Sequence, residues 1–363
     1  MMKEQQRLVG IDLFRGFAIY AVILLHIDEG IQNIPVAWSR ITDFALFAVP
    51  FFLATAFYFA INKLYQSKEP YPLRQRLLRL LIPYGFWSIF YLLYKSAKYV
   101  AGGDSDKLAE LFQDPLSLIF FGGAAFHLYF LPLLATGTLL IRLVEVLIAR
   151  RFSLSGLGLL SLISVLLYEA VLLSGNGLKT PENIAFESLL TAVFPTGNSI
   201  PFVRLILVVF FWALKCLPYV MLAAVLTHPT LNQRFLKLVS QHTLLGIVVF
   251  VALNAFGAFV LPQAIYEIAR GYTALIAAIA CSSLLKENPL IRSLGLCSFG
   301  IYLIHLLFVE VFQSIFVRLN PNYVNDPSIV VFLLASIVIL LLGWGITTLL
   351  MKRKMLSRLL FGF

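Results

Sequence analysis

Ten stretches of this chain are each long and apolar enough to cross a membrane as a helix. They cover about residues 9–27, 41–62, 77–97, 126–148, 154–174, 200–227, 243–261, 264–285, 295–317 and 328–350. A membrane-spanning helix needs about 20 mostly apolar residues, because each residue advances the helix by about 1.5 Å. We therefore expect an all-α fold, a polytopic membrane helical bundle with about ten transmembrane helices.

The composition agrees with that expectation and excludes an ordinary soluble protein. Hydrophobic residues make up 60% of the chain, charged residues 13%, and the mean hydropathy is +0.90. Soluble domains are nearer half apolar and a quarter charged. We expect residues 1–363 to form a single transmembrane domain with no appended soluble domain. Because Asp12 and Arg15 interrupt the first apolar stretch and no small-residue cleavage site follows it, that stretch is expected to remain as a helix.

The formal charge of +10 has its simplest source in the loops on one side of the membrane, rather than in binding to nucleic acid. Seventeen lysines and arginines fall in the connections of one side, and five in those of the other. Cytoplasmic loops of membrane proteins carry such an excess. Both termini are therefore predicted to be cytoplasmic, in a multi-pass protein of the cell (inner or plasma) membrane with no nucleic acid partner.

The first apolar stretch carries ionisable residues along one helical face. Arg15 and His26 are eleven residues apart, which is three turns plus about 20°, so both point the same way about 16 Å apart along the helix. Asp12 and Glu29 extend the same stripe. Ionisable groups are costly in lipid, and this face is therefore expected to line a protein interior or a wet cavity.

His26 is the strongest candidate for chemistry on that face, because imidazole carries protons at neutral pH. Glu29, one turn further on, could orient the ring, and Glu29 or Asp28 could stabilise its imidazolium. Asp28 faces elsewhere on an ideal helix, but that direction is not strict near a helix end. Arg15 could neutralise a phosphate or hold a carboxylate. The alternative is a structural i,i+3 ion pair between Arg15 and Asp12.

A basic cluster of Arg74, Arg76 and Arg79 stands at the predicted cytoplasmic mouth of the third apolar stretch. Guanidinium groups can fork onto phosphate oxygens, so the cluster suits a phosphorylated ligand. The alternative is ordinary anchoring to lipid headgroups.

His127, Tyr302 and His305 are further candidates, in or at the start of later apolar stretches. Taken alone, each histidine is as compatible with packing as with function. No histidine pair has the spacing of a metal site, and the three cysteines show neither a disulfide framework nor a zinc signature. We expect no metal and no permanently bound cofactor.

The two longest connections, about residues 98–125 and 175–199, both fall on the predicted outer side. Long loops in compact proteins are often functional. These could form a lid or an acceptor-binding face, or be plain linkers. The chain has no G-x-S-x-G, Walker or G-x-G-x-x-G motif, which leaves soluble hydrolase, ATPase and dinucleotide-binding functions without support.

In several places the chain resembles the acyltransferase-3 family of integral membrane acyltransferases. The motif D-x-x-R-G-x-A-I-x-x-V-x-x-x-H runs from Asp12 to His26, and R-x-R-x-x-R-L-x-x-P-Y from Arg74 to Tyr84. His127-Leu-Tyr-Phe-Leu-Pro132 and Gly300-Ile-Tyr302-Leu-Ile-His305 also fit. After Phe51 and Phe52, Ala54-Thr55-Ala56-Phe57 stands where members typically have a Ser-Gly pair, and there the chain departs from the pattern.

The resemblance implies an enzyme that transfers an acyl group, with acetyl as the expected one, from cytoplasmic acyl-CoA as donor substrate. The acceptor would be a hydroxyl of an extracytoplasmic glycan, lipid-linked sugar or similar molecule, as in the O-acetylation of cell-envelope polysaccharides. It implies that His26 is catalytic, that Arg15 is required, and that Arg76 and Arg79 bind the CoA phosphates. His127 or Tyr302 could then donate to the oxyanion. The competing hypothesis is a proton-coupled transporter or exporter that uses His26, Glu29 and Arg15 as a relay.

Overall fold

The apolar stretches fold as helices in the computed structural model, which describes residues 8–67, 69–179, 183–193, 201–320, 325 and 327–362. In chain order the α-helices are α1 (Val9–Leu24), α2 (Val36–Ala45), α3 (Ala48–Gln66), α4 (Leu73–Gly102), α5 (Ser105–Leu111), α6 (Phe130–Leu139), α7 (Ile141–Ala149), α8 (Leu154–Leu173), α9 (Glu187–Val193), α10 (Pro201–Leu226), α11 (Pro229–Gln241), α12 (Thr243–Phe256), α13 (Gln263–Cys281), α14 (Pro289–Leu319), α15 (Ile329–Met351) and α16 (Lys354–Phe361). The described residues also form a π-helix (Ser117–Phe121) and two 3₁₀ turns (Phe126–Tyr129 and Gly257–Phe259). The described residues contain no β-strand, only an isolated bridge between Lys179 and Ile184.

Within those residues, eight helical segments are long and apolar enough to cross a membrane. A further candidate is a pair of helices, Pro229–Gln241 and Thr243–Phe259, bent by 88° at their junction. The first predicted stretch forms α1, whose 16 residues fall short of the length needed to span the hydrocarbon core. The prediction of an all-α polytopic bundle is confirmed, and the chain is a multi-pass membrane protein.

The helices form two compact units. The first comprises the chain up to Ala56 together with Leu231–Arg353, and the second comprises Phe57–Thr230 together with the chain from Lys354 onward. Part of the 175–199 connection, at residues 180–182 and 194–199, lies outside the described residues.

In the first unit, α1 packs against α13, α14 and α15. Glycines make this packing close. A side chain at Gly295 of α14 would lie 2.6 Å from the Asp12 Cβ, and one at Gly10 of α1 would collide with the Ala278 carbonyl of α13. Small residues let membrane helices approach backbone to backbone. As a result α1 is largely buried among its neighbours.

In the second unit, the π-helix is held against α4 by the hydroxyl of Tyr84. That hydroxyl donates to the Ile119 carbonyl at 2.9 Å and accepts from the Gly122 N–H at 3.1 Å. Tyr84 ends the arginine-containing motif noted in the sequence. The last part of the 98–125 connection therefore folds back onto α4 instead of extending away as a free loop.

The short helix α16 also packs on α4. The indole N–H of Trp87 donates to the Leu360 carbonyl at 3.0 Å. Gly362 follows with φ of +73°, and a side chain there would collide with the Arg79 carbonyl. This contact holds the first turns of α4, which carry the basic cluster.

Candidate active site

His26 lies in a turn immediately after α1, rather than on the helix itself. The helix ends at Leu24, and the His26 N–H then bonds to the Ile23 carbonyl at 3.1 Å. Gly30, with φ of +78°, completes the turn, a conformation that favours glycine. The predicted stripe is thus helical from Asp12 only as far as α1 extends. Beyond Leu24 the N–H groups of Leu25 and Ile27 still bond to the carbonyls of Ala21 and Ile23. The expectation that the same face continues through His26 to Glu29 stays a prediction.

The imidazole of His26 stacks on that of His305, which belongs to α14. The ring centroids are 5.4 Å apart and the planes are inclined by 29°. His305 is fully buried, whereas His26 is partly exposed. The structure therefore brings together two histidines that lie far apart in the chain and that no sequence motif pairs.

The tautomer of His305 follows from its hydrogen bond. Its Nδ1 lies 2.6 Å from the backbone oxygen of Tyr302. Because a carbonyl oxygen can only accept, Nδ1 carries the proton and Nε2 is the basic nitrogen of the neutral ring. The ring is thereby held in one orientation against His26.

Tyr302 is buried one turn before His305. Its ring centroid is 5.9 Å from that of His305 and 6.4 Å from that of Phe299. The structure thus places Tyr302 and His305 in the same cluster as His26. Their suggested role as substrate or oxyanion contacts stays a prediction.

Asp28 anchors the turn that carries His26. Its Oδ2 accepts from the indole N–H of Trp38 at 3.0 Å, and Trp38 is fully buried. Burial raises the pKa of the Asp28 carboxyl, although the bond from Trp38 opposes the shift. The structure therefore supports a part for Asp28 in fixing the backbone.

The turn is also held by Gln313 of α14, which sequence reasoning missed. Its side-chain N–H groups donate to the carbonyls of Ile27 at 3.2 Å and Glu29 at 2.7 Å. The Glu29 side chain is exposed, and its orienting role stays a prediction. The signal was present in the sequence, since Tyr302, His305 and Gln313 fall on a stripe of three- and four-residue steps along α14.

Arg15 forms the ion pair with Asp12 that was the structural alternative in the sequence. The closest nitrogen and oxygen are 3.7 Å apart. The Asp12 side chain is buried, and that of Arg15 is about one-third exposed, at 34%. Because Asp12 is buried, the positive charge of Arg15 offsets part of the cost of that burial. A further role for Arg15 towards a ligand stays a prediction.

The basic cluster lies in the second unit, on the first two turns of α4. Arg74 and Arg79 are exposed and Arg76 is half-buried. Burial raises the pKa of the neighbouring Tyr71, and the positive charge of Arg76 opposes that shift. Within the part of the chain that the structure describes, none of these arginines is ion-paired to a carboxylate. Their guanidinium groups are therefore available to an anion.

His127 is also in the second unit, in the 3₁₀ turn before α6. It is buried, and its ring meets that of Tyr91 edge to face, with centroids 5.3 Å apart. The structure thus places His127 against Tyr91, and the suggested contact with substrate stays a prediction.

Some membrane charges without an obvious partner in the sequence have one in the structure. Arg204 of α10 pairs with Asp114, in the connection before the π-helix. Lys215 lies over the ring of Tyr168, 6.0 Å from its centroid. Across the described residues, no group of three or more His, Cys, Asp or Glu side chains is placed to hold a metal ion.

Comparison with known proteins adds one match. A family model described as an acyltransferase domain matches residues 8–348, which include every candidate residue above. Searches of curated proteins and of solved structures returned no match.

Proposed function

The chain belongs to the acyltransferase-3 family, and on that premise we propose that it transfers an acyl group, with acetyl as the expected one, from cytoplasmic acyl-CoA to a hydroxyl outside the cytoplasm. The acceptor class is a glycan, a lipid-linked sugar or a similar molecule. The membrane is the inner or plasma membrane of the cell. That the chain is a membrane acyltransferase follows from the family alone, and the donor and acceptor are the proposal.

The observation that carries the catalytic part of the proposal is the stack of His26 on His305. An acceptor hydroxyl is a poor nucleophile and needs a base. His26, partly exposed at the end of α1, is the base in this scheme, and His305 holds its ring. Because the Nδ1 proton of His305 is held by the Tyr302 carbonyl, that ring meets His26 in one fixed orientation.

The proposed reaction is a single acyl transfer. His26 takes the proton of the acceptor hydroxyl as its oxygen attacks the thioester carbonyl. The carbon–sulfur bond then breaks, and the CoA thiolate takes the proton back from the His26 imidazolium. Tyr302, in the same cluster as His26, would donate to the oxyanion in this scheme.

The donor would be held by the basic cluster. Arg74, Arg76 and Arg79 have no carboxylate partner among the described residues, and guanidinium groups fork onto phosphates. They would neutralise the phosphates of CoA. Arg15 is already paired with Asp12, and its proposed contribution is to keep that end of α1 in place and to face an anionic part of the donor.

The test is thiol release from acetyl-CoA by the purified protein in lipid nanodiscs, with mass spectrometry of the acylated acceptor. His26→Gln should lower the rate by about 10²- to 10⁴-fold, the usual contribution of a general base. The control is His242→Gln, because His242 is exposed at the start of α12. Thiol release that survives in His26→Gln would refute the role of His26. No release with any acyl-CoA, together with proton-coupled flux in vesicles, would favour a transporter instead.

A further inference from the structure

A second candidate site is a cavity of about 440 Å³ in the second unit. This volume is in the range of small-molecule pockets. The cavity is lined by aromatic rings and by side chains with acceptor oxygens, namely Tyr99, Glu110, Asp114, Phe126, Tyr129 and Asn183. The chemistry proposed for His26 uses none of these residues.

The backbone around the cavity is tightly held. The π-helix ends at Gly122, whose φ is +77°, and a side chain there would collide with the backbone of Tyr129. At Gly123 an added Cβ would lie 2.5 Å from the Ser117 Oγ. Short π-helices are often found at functional sites. The bonds of Tyr84 to this segment fix it further, so the cavity is preformed.

The polar groups of the wall present acceptor oxygens. Arg204 and the Ser117 N–H both bond to the Oδ1 of Asp114, so its Oδ2 has no hydrogen bond among the described residues. Asn183 uses its Nδ2 on the Ser117 Oγ at 2.9 Å, which leaves its carbonyl oxygen to a ligand. Glu110 is exposed and has no ion pair in the described part of the chain.

This wall selects against an anionic ligand. Lys107 also lines the cavity, but it is paired with Asp104, and Arg204 neutralises Asp114. Glu110 is the lining charge that has no ion pair among the described residues, and it would repel an anion. A ligand that donates several hydrogen bonds and carries no charge fits best. The aromatic rings suit the apolar face of a sugar ring, because aromatic side chains combine a flat apolar body with polar surroundings.

We propose that this cavity binds a neutral sugar unit. That the sugar belongs to the acyl acceptor rests on the proposed function, whereas sugar binding itself does not. The carboxylates and the amide would accept from hydroxyl groups, and Tyr99 or Tyr129 would stack on the ring.

The experiment measures binding of the full chain in nanodiscs to an array of neutral and anionic glycans, with no acyl donor present. Neutral glycans that bind are then titrated by saturation-transfer NMR up to millimolar concentration. Glu110→Ala and Tyr99→Leu should each weaken binding of a neutral glycan by about fivefold or more, the loss expected for one hydrogen bond to a charged group or one stacked ring. The matched control is Asp106→Ala, because Asp106 is exposed on the same helix, α5, and does not line the cavity.

Three results would overturn the inference: no neutral glycan binds, anionic glycans bind better, or both cavity variants bind as the wild type does. Thiol release from acetyl-CoA, with and without glycan, is measured in parallel and should be unchanged in Asp106→Ala. A protein that binds neutral glycans through the cavity but releases no thiol would contradict the proposed function and leave the sugar site standing. A protein that releases thiol but binds no neutral glycan would contradict the sugar site and leave the proposed function standing.

Discussion

The imidazole rings of His26 and His305 stack with their centroids 5.4 Å apart, although one follows the first helix and the other lies on the fourteenth. The buried ring of His305 is oriented by the Tyr302 carbonyl, and it in turn orients His26. This relationship makes His305 a positioning residue in the proposed reaction, and it is open to test.

His305→Ala should lower kcat by about a hundredfold, because a base displaced by about 1 Å loses that much rate. His305→Phe keeps a ring for His26 to stack on and should lose less. The KM for acyl-CoA should stay within about twofold, since His305 acts on His26 rather than on the donor. For each variant, kcat and KM are measured by steady-state thiol release per folded protein, with the folded fraction taken from size-exclusion chromatography. A rise in KM at constant kcat would contradict the positioning role.

Gly295→Ala should destabilise the first unit and reduce activity. The added methyl group would lie 2.6 Å from the Asp12 Cβ, so α1 and α14 would have to separate. Overpacking of this kind costs about 1–3 kcal/mol. The control is Gly345→Ala on α15, where an added Cβ meets no atom within 4 Å. Thermal unfolding followed by intrinsic fluorescence measures both variants, and equal midpoints would show that the close contact is not important for stability.

Asp28→Ala should destabilise the protein more than Asp28→Asn. The alanine leaves the buried indole N–H of Trp38 without its acceptor, which costs about 1–3 kcal/mol. Asparagine can still accept that hydrogen bond through its Oδ1. Midpoints of thermal unfolding at neutral pH give the comparison, and an equal loss in the two variants would argue that the Trp38 bond contributes little.

Stability should also depend on the charge of Asp28. Burial raises its pKa above the ordinary value of 3.8. A carboxyl with a raised pKa in the folded state stabilises the fold at low pH, and that contribution is lost as the pH rises through the folded-state pKa. Asp28→Asn has no carboxyl to ionise, so it does not lose stability in this way as the pH rises. Its stability relative to the wild type should therefore increase as the pH rises from about 4, and then become constant. A difference that does not vary with pH would show that the carboxyl titrates normally.

Replacing Arg76 and Arg79 together by alanine should weaken acyl-CoA binding by about tenfold, which corresponds to about 1.4 kcal/mol. The effect should shrink as salt is added, because salt screens exposed charges. The matched control replaces Arg234 and Lys237, which are exposed on α11. Isothermal titration with CoA at two ionic strengths measures the change. Equal affinity in both double variants would assign the cluster to lipid anchoring.

Much of the fold could be predicted from the sequence because membrane helices follow local hydropathy. The predicted stretches at 154–174 and 328–350 correspond closely to α8 and α15. The first stretch was less accurate. Hydropathy continues through Leu25 and Ile27, but the helix ends at Leu24. The turn that follows contains Asp28, bonded to Trp38, and a glycine at position 30 with positive φ.

The side-chain contacts, too, could be predicted from the sequence only in part. The ion pair between Arg15 and Asp12 was foreseen, because i,i+3 neighbours on a helix must lie close together. The pairing of Arg204 with Asp114 was not predicted from the sequence. The π-helix that precedes Gly122 was not predicted either. Both depend on how the connection before α6 folds back onto its own unit.

The sequence by itself determined that the chain is a membrane-spanning helical protein, and it singled out Arg15 and His26 as unusual residues for a first apolar segment. Both conclusions rest on the cost of placing polar groups in lipid, which is a property of each segment alone. The tertiary structure decided that His26 meets His305, and that aromatic and carboxylate side chains line one cavity. These contacts depend on the register and separation of helices distant in the chain, which are set by close packing at residues such as Gly295 and Gly122.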